Sequence, residues 1–284
     1  MTTLQRVIAW FDQNKVKRRS ECVLAIGGGA MLDTVSLAAA LYRRGTAFWR
    51  VPTTLLASID AGIGVKSAVN FGRRKNLVGT YQAPARVLVD PLVLDSLPVR
   101  ELRSGLGEAL KLGLAADAPI ARLLEDRGPS LITTRLQSAE GTALIERSIA
   151  SMLVEIRADP WEENQLVHPT DLGHSFSRLF EEKLRPRVLH GEAVALDIAF
   201  STACSEVVGL CTAQQRERIL AIIAGLQLPT ANSGITVSHL ESAYDDIVVH
   251  RDGDRFPLPV EPGVTEIVQL KRSTLARAAK LAEA

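Results

Sequence analysis

Long apolar runs are absent from this chain. No stretch approaches the ~20 residues that a helix needs to cross a bilayer. The first residues, MTTLQRVIAWFDQNKVKRR, lack the apolar core of a secretory signal. Cysteine is scarce: Cys22, Cys204 and Cys211 are odd in number and not in a metal-type spacing. That argues against a disulfide framework and fits buried free thiols in a reducing compartment. A cytoplasmic protein is therefore expected. An excess of either charge is also missing. With a net charge of +1, neither nucleic acid nor a membrane surface is an expected partner. There is no internal repeat and no low-complexity tract. What remains is a composition of 46% hydrophobic and 23% charged residues over 284 positions. That describes a globular chain of one large or two ordinary domains, with ample length to bury a core.

Leu4, Val7, Ile8 and Phe11 recur at helical spacing, so the chain opens in a helix over 3–14. Val23-Leu24-Ala25-Ile26 is a short buried strand ending at Gly27-Gly28-Gly29, and 30–43 reads as a helix. A strand, a glycine turn and a helix let backbone N–H groups approach a phosphate at a helix N-terminus; a plain tight turn reads the same way. A second strand covers 47–51, a short helical piece 55–60, two extended pieces flank the basic turn Arg73-Arg74-Lys75, and a third strand spans 86–90. Strands alternating with helices predict a parallel α/β sheet. After Pro98 the pattern changes. Helices are predicted over 99–116, 118–126, 139–157, 173–184, 191–208, 213–226 and 236–248, with extended segments at 255–260 and 265–270. The expected organisation is an α/β part over 1–98 and a mainly helical part over 99–284. Residues 158–172 form the longest irregular segment of the helical part, and such loops are often functional.

Two histidines stand at the mouths of predicted helices, in Gly173-His174 and His190-Gly191. Neutral imidazole is a common metal ligand, so the pair could close on one ion if a third ligand came from elsewhere. Ordinary capping or core histidines would look the same. Glu108 and Lys111 share a helix face, either as a solvated pair or as a partly buried one among Leu106, Leu110 and Leu112. Arg44, Asp60, Lys66, Lys75 and Asn76 are scattered through an otherwise apolar pattern. Solvated turn charges are one reading; a convergent set for a phosphorylated substrate is the other. His168 and His239 read as loop and helix-surface residues. His250 opens a polar turn, HRDGDR.

Five blocks in order then carry a resemblance over nearly the whole chain. They are AIGGGAMLDTVSLAAALYRRGTAFWRVPTTLLASIDAGIGVKSAVN, KNLVGTY, LPVRELRSGLGEALKLGL, DLGHSFS and LHGEAVALD. Together they resemble the sugar phosphate cyclases, the dehydroquinate synthase superfamily. The resemblance implies an α/β N-terminal nucleotide-binding domain and a mainly α-helical C-terminal metal-binding domain, with the active site between them. It implies NAD and a divalent metal, Zn²⁺ or Co²⁺, as cofactors, and a homodimer. Glu108, His174 and His190 match the metal ligands. Gly27, Gly28, Gly29 and Asp33 match the dinucleotide loop, with Thr53, Thr54, Lys75 and Ser96 as further NAD contacts. Arg44, Asp60, Lys66, Asn76 and Lys111 match residues around the sugar phosphate substrate, Lys66 and Lys111 as stabilisers of oxyanions. The implied reaction is transient oxidation by NAD, phosphate β-elimination, re-reduction, ring opening and intramolecular aldol closure.

Within the superfamily, dehydroquinate synthases place an arginine for the substrate carboxylate where this chain has Val167, and asparagine where it has Asp171. An apolar side chain cannot pair a carboxylate. Asp171, PWEE, YRRGT and HRDG…PLP resemble the sedoheptulose 7-phosphate cyclases, which include 2-epi-5-epi-valiolone synthase and desmethyl-4-deoxygadusol synthase. In this register His250 replaces a substrate-binding lysine, and Arg178 stands where other members have histidine or proline and could contact phosphate. The other readings are dehydroquinate synthase itself, a polyol dehydrogenase of the same fold, and a truncated homologue that pairs with a complete cyclase. Family members carry further strands before the glycine-turn strand. The N-terminal domain is therefore expected to be partial, with an exposed sheet and weak NAD binding unless a partner covers it.

Overall fold

A computed structural model of the chain describes residues 2–72, 74–161, 167–231, 233–250 and 253–282, with the His250 side chain left out. The first part contains α1 (Thr2–Gln13), β1 (Val23–Gly27), α2 (Gly29–Leu41), β2 (Phe48–Pro52), the hairpin strands β3 (Lys66–Phe71) and β4 (Arg74–Tyr81), and the short β5 (Arg86–Val87). β1, β2 and β5 form a parallel sheet in that order, with Val23 opposite Phe48 and Trp49 opposite Arg86. Leu4 and Phe11 of α1 and Leu37 and Ala38 of α2 pack over Phe48 on one face. On β1, Leu24 and Ile26 remain about half exposed. The third strand is shorter than expected. Pro91 follows closely, and the Asp90 carboxylate accepts from Leu92 N at 2.9 Å to start a 3₁₀ turn, Pro91–Ser96, in place of more strand.

Helices dominate the remainder: α3 (Val99–Ala115), α4 (Ala118–Thr133), α5 (Ala139–Ala158), α6 (Ser177–Lys183), α7 (His190–Val208), α8 (Ala213–Gly225), α9 (Val237–His250) and α10 (Thr274–Ala282). An antiparallel hairpin, β6 (Arg255–Glu261) and β7 (Val264–Gln269), lies between α9 and α10. Among the helices, two boundaries and one whole element differ from the sequence expectation. α4 continues through Pro129 to Thr133, because Leu131 and Ile132 are buried in the main core and offset the lost hydrogen bond. α6 starts at 177, not 173, since Gly173 takes a left-handed φ of +78°. The Asp197 carboxylate then receives the amides of Phe176 and Ser177 at the head of that helix. α10 was not anticipated; its Leu275 and Ala278 close a second core around Phe256.

α3 and α7 cross at the centre with their backbones in contact. A Cβ on Gly191 would lie 1.8 Å from the Ser104 carbonyl oxygen, and one on Gly107 would lie 2.5 Å from that of Gly191. Gly191 N donates to Ser104 Oγ at 2.9 Å. These glycines are therefore spacing devices, and each precedes or follows a candidate ligand, Glu108 or His190. Among the described residues no helix is long and apolar enough to cross a membrane.

Candidate active site

A cleft of about 1160 Å³ opens between the sheet end and the helices. Its sheet side is the C-terminal end of β1, as expected for ligands of parallel sheets. Gly28, the residue before α2, offers no side-chain cap. The first turn of α2 therefore presents its amides to the cleft, where Gly28, Gly29 and Ala30 form part of the wall. Asp33 and Thr54 line the same end, while Gly27 and Thr53 sit just behind, tied by Thr53 N donating to the Gly27 carbonyl at 3.0 Å.

The helical side carries the histidines. Glu108 on α3 is completely buried. Its Oε1 lies 3.5 Å from His174 Nε2 and 3.1 Å from His190 Nε2, and its Oε2 lies 2.8 Å from Lys111 Nζ. Lys111 Nζ also donates to Asp60 Oδ2 at 3.0 Å, on the π-turn Ala57–Ala61. His190 Nδ1 faces Glu181 Oε1 at 2.8 Å, and His174 Nδ1 faces the Leu172 carbonyl at 3.4 Å. Glu181 is bonded in turn to Lys75 of β4.

The trio fits a metal ion. One ligand atom each from Glu108, His174 and His190 lies within 4.8 Å of the others. Both Glu108 oxygens are buried and face the Lys111 ammonium and the two histidine Nε2 atoms. Each histidine's Nδ1 meets an oxygen acceptor, which leaves Nε2 for the centre. Three protein ligands of this chemistry leave open positions, the pattern of a catalytic site for Zn²⁺ or a similar ion.

Charges are strongly coupled here. Burial alone would raise the Glu108 carboxyl, but Lys111, His174 and His190 outweigh it and hold it well below the carboxylate range. Burial would lower the Lys111 ammonium, yet Asp60 and Glu108 raise it. Burial lowers His174, only partly opposed by Glu108. Burial also disfavours charged His190, but hydrogen bonds to Glu108 and Glu181 lift it to about 10. Glu181, despite burial, is held at about 2 by His190 and Lys75. Glu181 thus orients a ligand from behind. Glu181→Gln is expected to weaken zinc binding by about 10–100-fold with little loss of fold, measured by competition with a chelating dye.

Asp33 behaves differently. Burial pushes its carboxyl up to about 6, Arg50 lowers it and Asp60 raises it. A raised carboxyl keeps its proton more tightly folded than unfolded. Stability from this group is complete below its ordinary value near 3.8 and is lost as pH rises toward 6. Asp33→Asn is therefore expected to gain ~1–2 kcal/mol at pH 7.5, discounted for partial exposure, and nothing at pH 3.5. Urea titrations at the two pH values measure this.

Asp60, Lys66, Lys75, Asn76, Lys111, Asp171, His174 and His190 all line the one cleft, with Glu108 beneath it. Other expected residues are elsewhere. Arg44 is exposed before β2, at the opposite end of the sheet. Ser96 is exposed, with its hydroxyl bonded to the Val93 carbonyl. Arg178 is exposed and paired with Glu182 at 2.9 Å on α6. His250 ends α9, its side chain outside the described residues. Sequence reasoning missed Glu181, whose EEK context reads as surface. It also read His168 as a plain loop residue, whereas His168 lines the cleft beside Thr170.

A glycine turn facing a two-histidine, one-carboxylate trio across a shared cleft defines a dehydroquinate synthase-like fold. Residues 1–104 match the 3-dehydroquinate synthase N-terminal family, and residues 105–247 match the 3-dehydroquinate synthase C-terminal family. The chain belongs to the 3-dehydroquinate synthase family. It is 40% identical over 270 residues to a 2-epi-5-epi-valiolone synthase of Actinomyces sp., covering 93% of this chain and 71% of that protein. It is 42% identical over 266 residues to the 2-epi-5-epi-valiolone synthase of Streptomyces hygroscopicus subsp. jinggangensis, covering 91% and 64%. The chain thus spans about two thirds of the length of these relatives. The solved structure of the Streptomyces enzyme, with NAD⁺ and Zn²⁺ bound, superposes with a TM-score of 0.95 at 40% identity, over 100% of this chain and 79% of that one.

Proposed function

We propose that this protein is an NAD- and zinc-dependent sugar phosphate cyclase that converts sedoheptulose 7-phosphate to a C7 cyclitol of the 2-epi-5-epi-valiolone type. The observation that carries this is the Glu108–His174–His190 trio facing the α2 amides across one cleft, in a chain about 40% identical to valiolone synthases. When bound, NAD supplies a reversible hydride acceptor and the metal a Lewis acid, so that no cofactor is consumed over the cycle.

The chain's own residues do the rest. Glu108, His174 and His190 would hold the metal, and the first turn of α2 would take the dinucleotide pyrophosphate. Lys111 Nζ, pinned between Glu108 and Asp60, is placed to steady negative charge on a substrate oxygen. Lys66 and Asn76 line the cleft beside it and suit the phosphate. Asp60 and Asp171 offer acceptors for ring hydroxyls. Val167, where dehydroquinate synthases place an arginine, offers no guanidinium to a substrate carboxylate, which favours a polyol substrate. Arg44 lies behind a five-residue strand, a span of roughly 15 Å from the cleft. A phosphate role for Arg44 requires the cleft of a second copy, in keeping with a homodimer.

The test is a cyclisation assay with sedoheptulose 7-phosphate, NAD⁺ and Zn²⁺, following phosphate release and the carbocyclic product. Phosphate release with a C7 cyclitol supports the assignment. Net accumulation of NADH, or turnover only of a carboxylated heptulosonate phosphate, would replace it.

A further inference from the structure

Arg50 stands in the middle of β2, the central strand of the parallel sheet, where aliphatic residues are usual. It is 0% exposed and heads the fully buried side chains by volume. Burying a guanidinium costs several kcal/mol unless its donors and charge are matched. Nε donates to Ser36 Oγ of α2 at 2.9 Å. Nη1 donates to the carbonyls of Gly64 at 2.7 Å and Gly62 at 3.4 Å, and Nη2 to that of Lys66 at 3.1 Å. Asp33 is the nearby negative charge.

Three of these four acceptors are backbone carbonyls of one short segment, 62–66. That segment joins the π-turn bearing Asp60 to the strand that begins at Lys66. Asp60 and Lys66 both line the cleft, and Asp60 holds Lys111. An aliphatic residue at position 50 could fill the volume. It would leave the carbonyls, which turn inward behind the cleft wall, short of donors. A charged residue kept at a position where local rules ask for Val or Ile marks a functional constraint.

We propose that Arg50 is a positioning residue for the substrate side of the cleft: by gathering the carbonyls of 62, 64 and 66 it sets the spacing of Asp60 and Lys66, and so which sugar phosphate fits. The substrate part rests on the sugar phosphate reading above. Arg50 itself touches no reactant, being sealed behind the segment it holds.

Arg50→Gln and Arg50→Lys in the full chain test it. Amide hydrogen exchange of 61–66 is expected to quicken by about tenfold or more, with β1, α3 and zinc content unchanged. The KM for sedoheptulose 7-phosphate is expected to rise by about tenfold or more, while NAD⁺ affinity stays within about twofold. Lysine, which can reach one carbonyl, should recover part of both losses. If Arg50→Gln fails to fold, Ser36→Ala, which removes one acceptor only, should show the milder form of the same pattern. Unchanged exchange over 61–66 would overturn the proposal. So would a rise spread over β1, β2 and α2 with NAD⁺ affinity and KM worsening together, the behaviour of a plain core residue. If the unmodified chain does not turn over sedoheptulose 7-phosphate, the substrate reading fails, and the exchange pattern still decides whether Arg50 positions the segment.

Discussion

Glu108→Gln is expected to abolish stoichiometric zinc and lower cyclisation by at least about a thousandfold. The substitution keeps the shape of a side chain that is wholly buried in α3, so packing against Leu106 and Leu110 survives. What is lost is the charge. A neutral amide binds zinc poorly beside two imidazoles, and its NH₂ group cannot accept from Lys111 or from a histidine N–H. Lys111 keeps Asp60 at 3.0 Å, so the fold should lose only ~1–3 kcal/mol. Metal analysis of the purified variant and phosphate release measure the two effects. A variant that keeps one zinc per chain would remove Glu108 from the ligand set.

Lys111→Met is expected to produce the largest change in stability, and one that depends on metal. Lys111 is nearly buried and is the cation between Glu108 and Asp60. Removing it leaves Glu108 as a buried carboxylate facing two histidines. In metal-free protein that should cost about 3–5 kcal/mol, the penalty for breaking a buried ion pair from one side. A bound divalent ion neutralises the same carboxylate, so the zinc-loaded variant should lose much less. Calorimetric melting with zinc and with chelator measures the difference. Equal losses in both states would mean that the ion does not sit on Glu108. Turnover should fall about 10²–10³-fold even when zinc is bound, since the cleft loses its fixed ammonium.

Several parts of the site were legible before the fold was known. The period changes from strand to helix across Gly27–Gly29, and β-branched and glycine residues mark it locally. Glu108 and Lys111 sit one helical turn apart, so any helix over 99–116 would put them on one face. The two glycine–histidine pairs were visible as well, although their meaning was not. Gly191 and Gly107 look like weak helix positions in isolation; they are small because α3 and α7 touch there.

Other features had no local signal. Glu181 meets Lys75 across 106 positions, and Lys111 meets Asp60 across 51. Arg50 lies within the strand expected over 47–51, and nothing along the chain marks it; the carbonyls of 62–66 reach it only in the fold. Arg44 carried the right residue type in the right block, and Ser96 stands just before one, yet both lie on the surface of the chain. α10 was missed because its nine residues are short for a periodicity argument; Ala, Leu, Arg and Lys favour the helix, and burial of Leu275 and Ala278 in the core with Phe256 holds it.

The sequence by itself determined the family, the order of elements and the residue types available for chemistry, because periodicity, glycine placement and motif order are properties of neighbours along the chain. Only the tertiary structure decided which of those residues meet. The separation of Glu108, His174 and His190, the support behind His190 and the buried guanidinium behind the cleft all depend on how helices cross and where loops return. That geometry is a balance of packing and buried-charge matching between distant segments, and no local pattern encodes it.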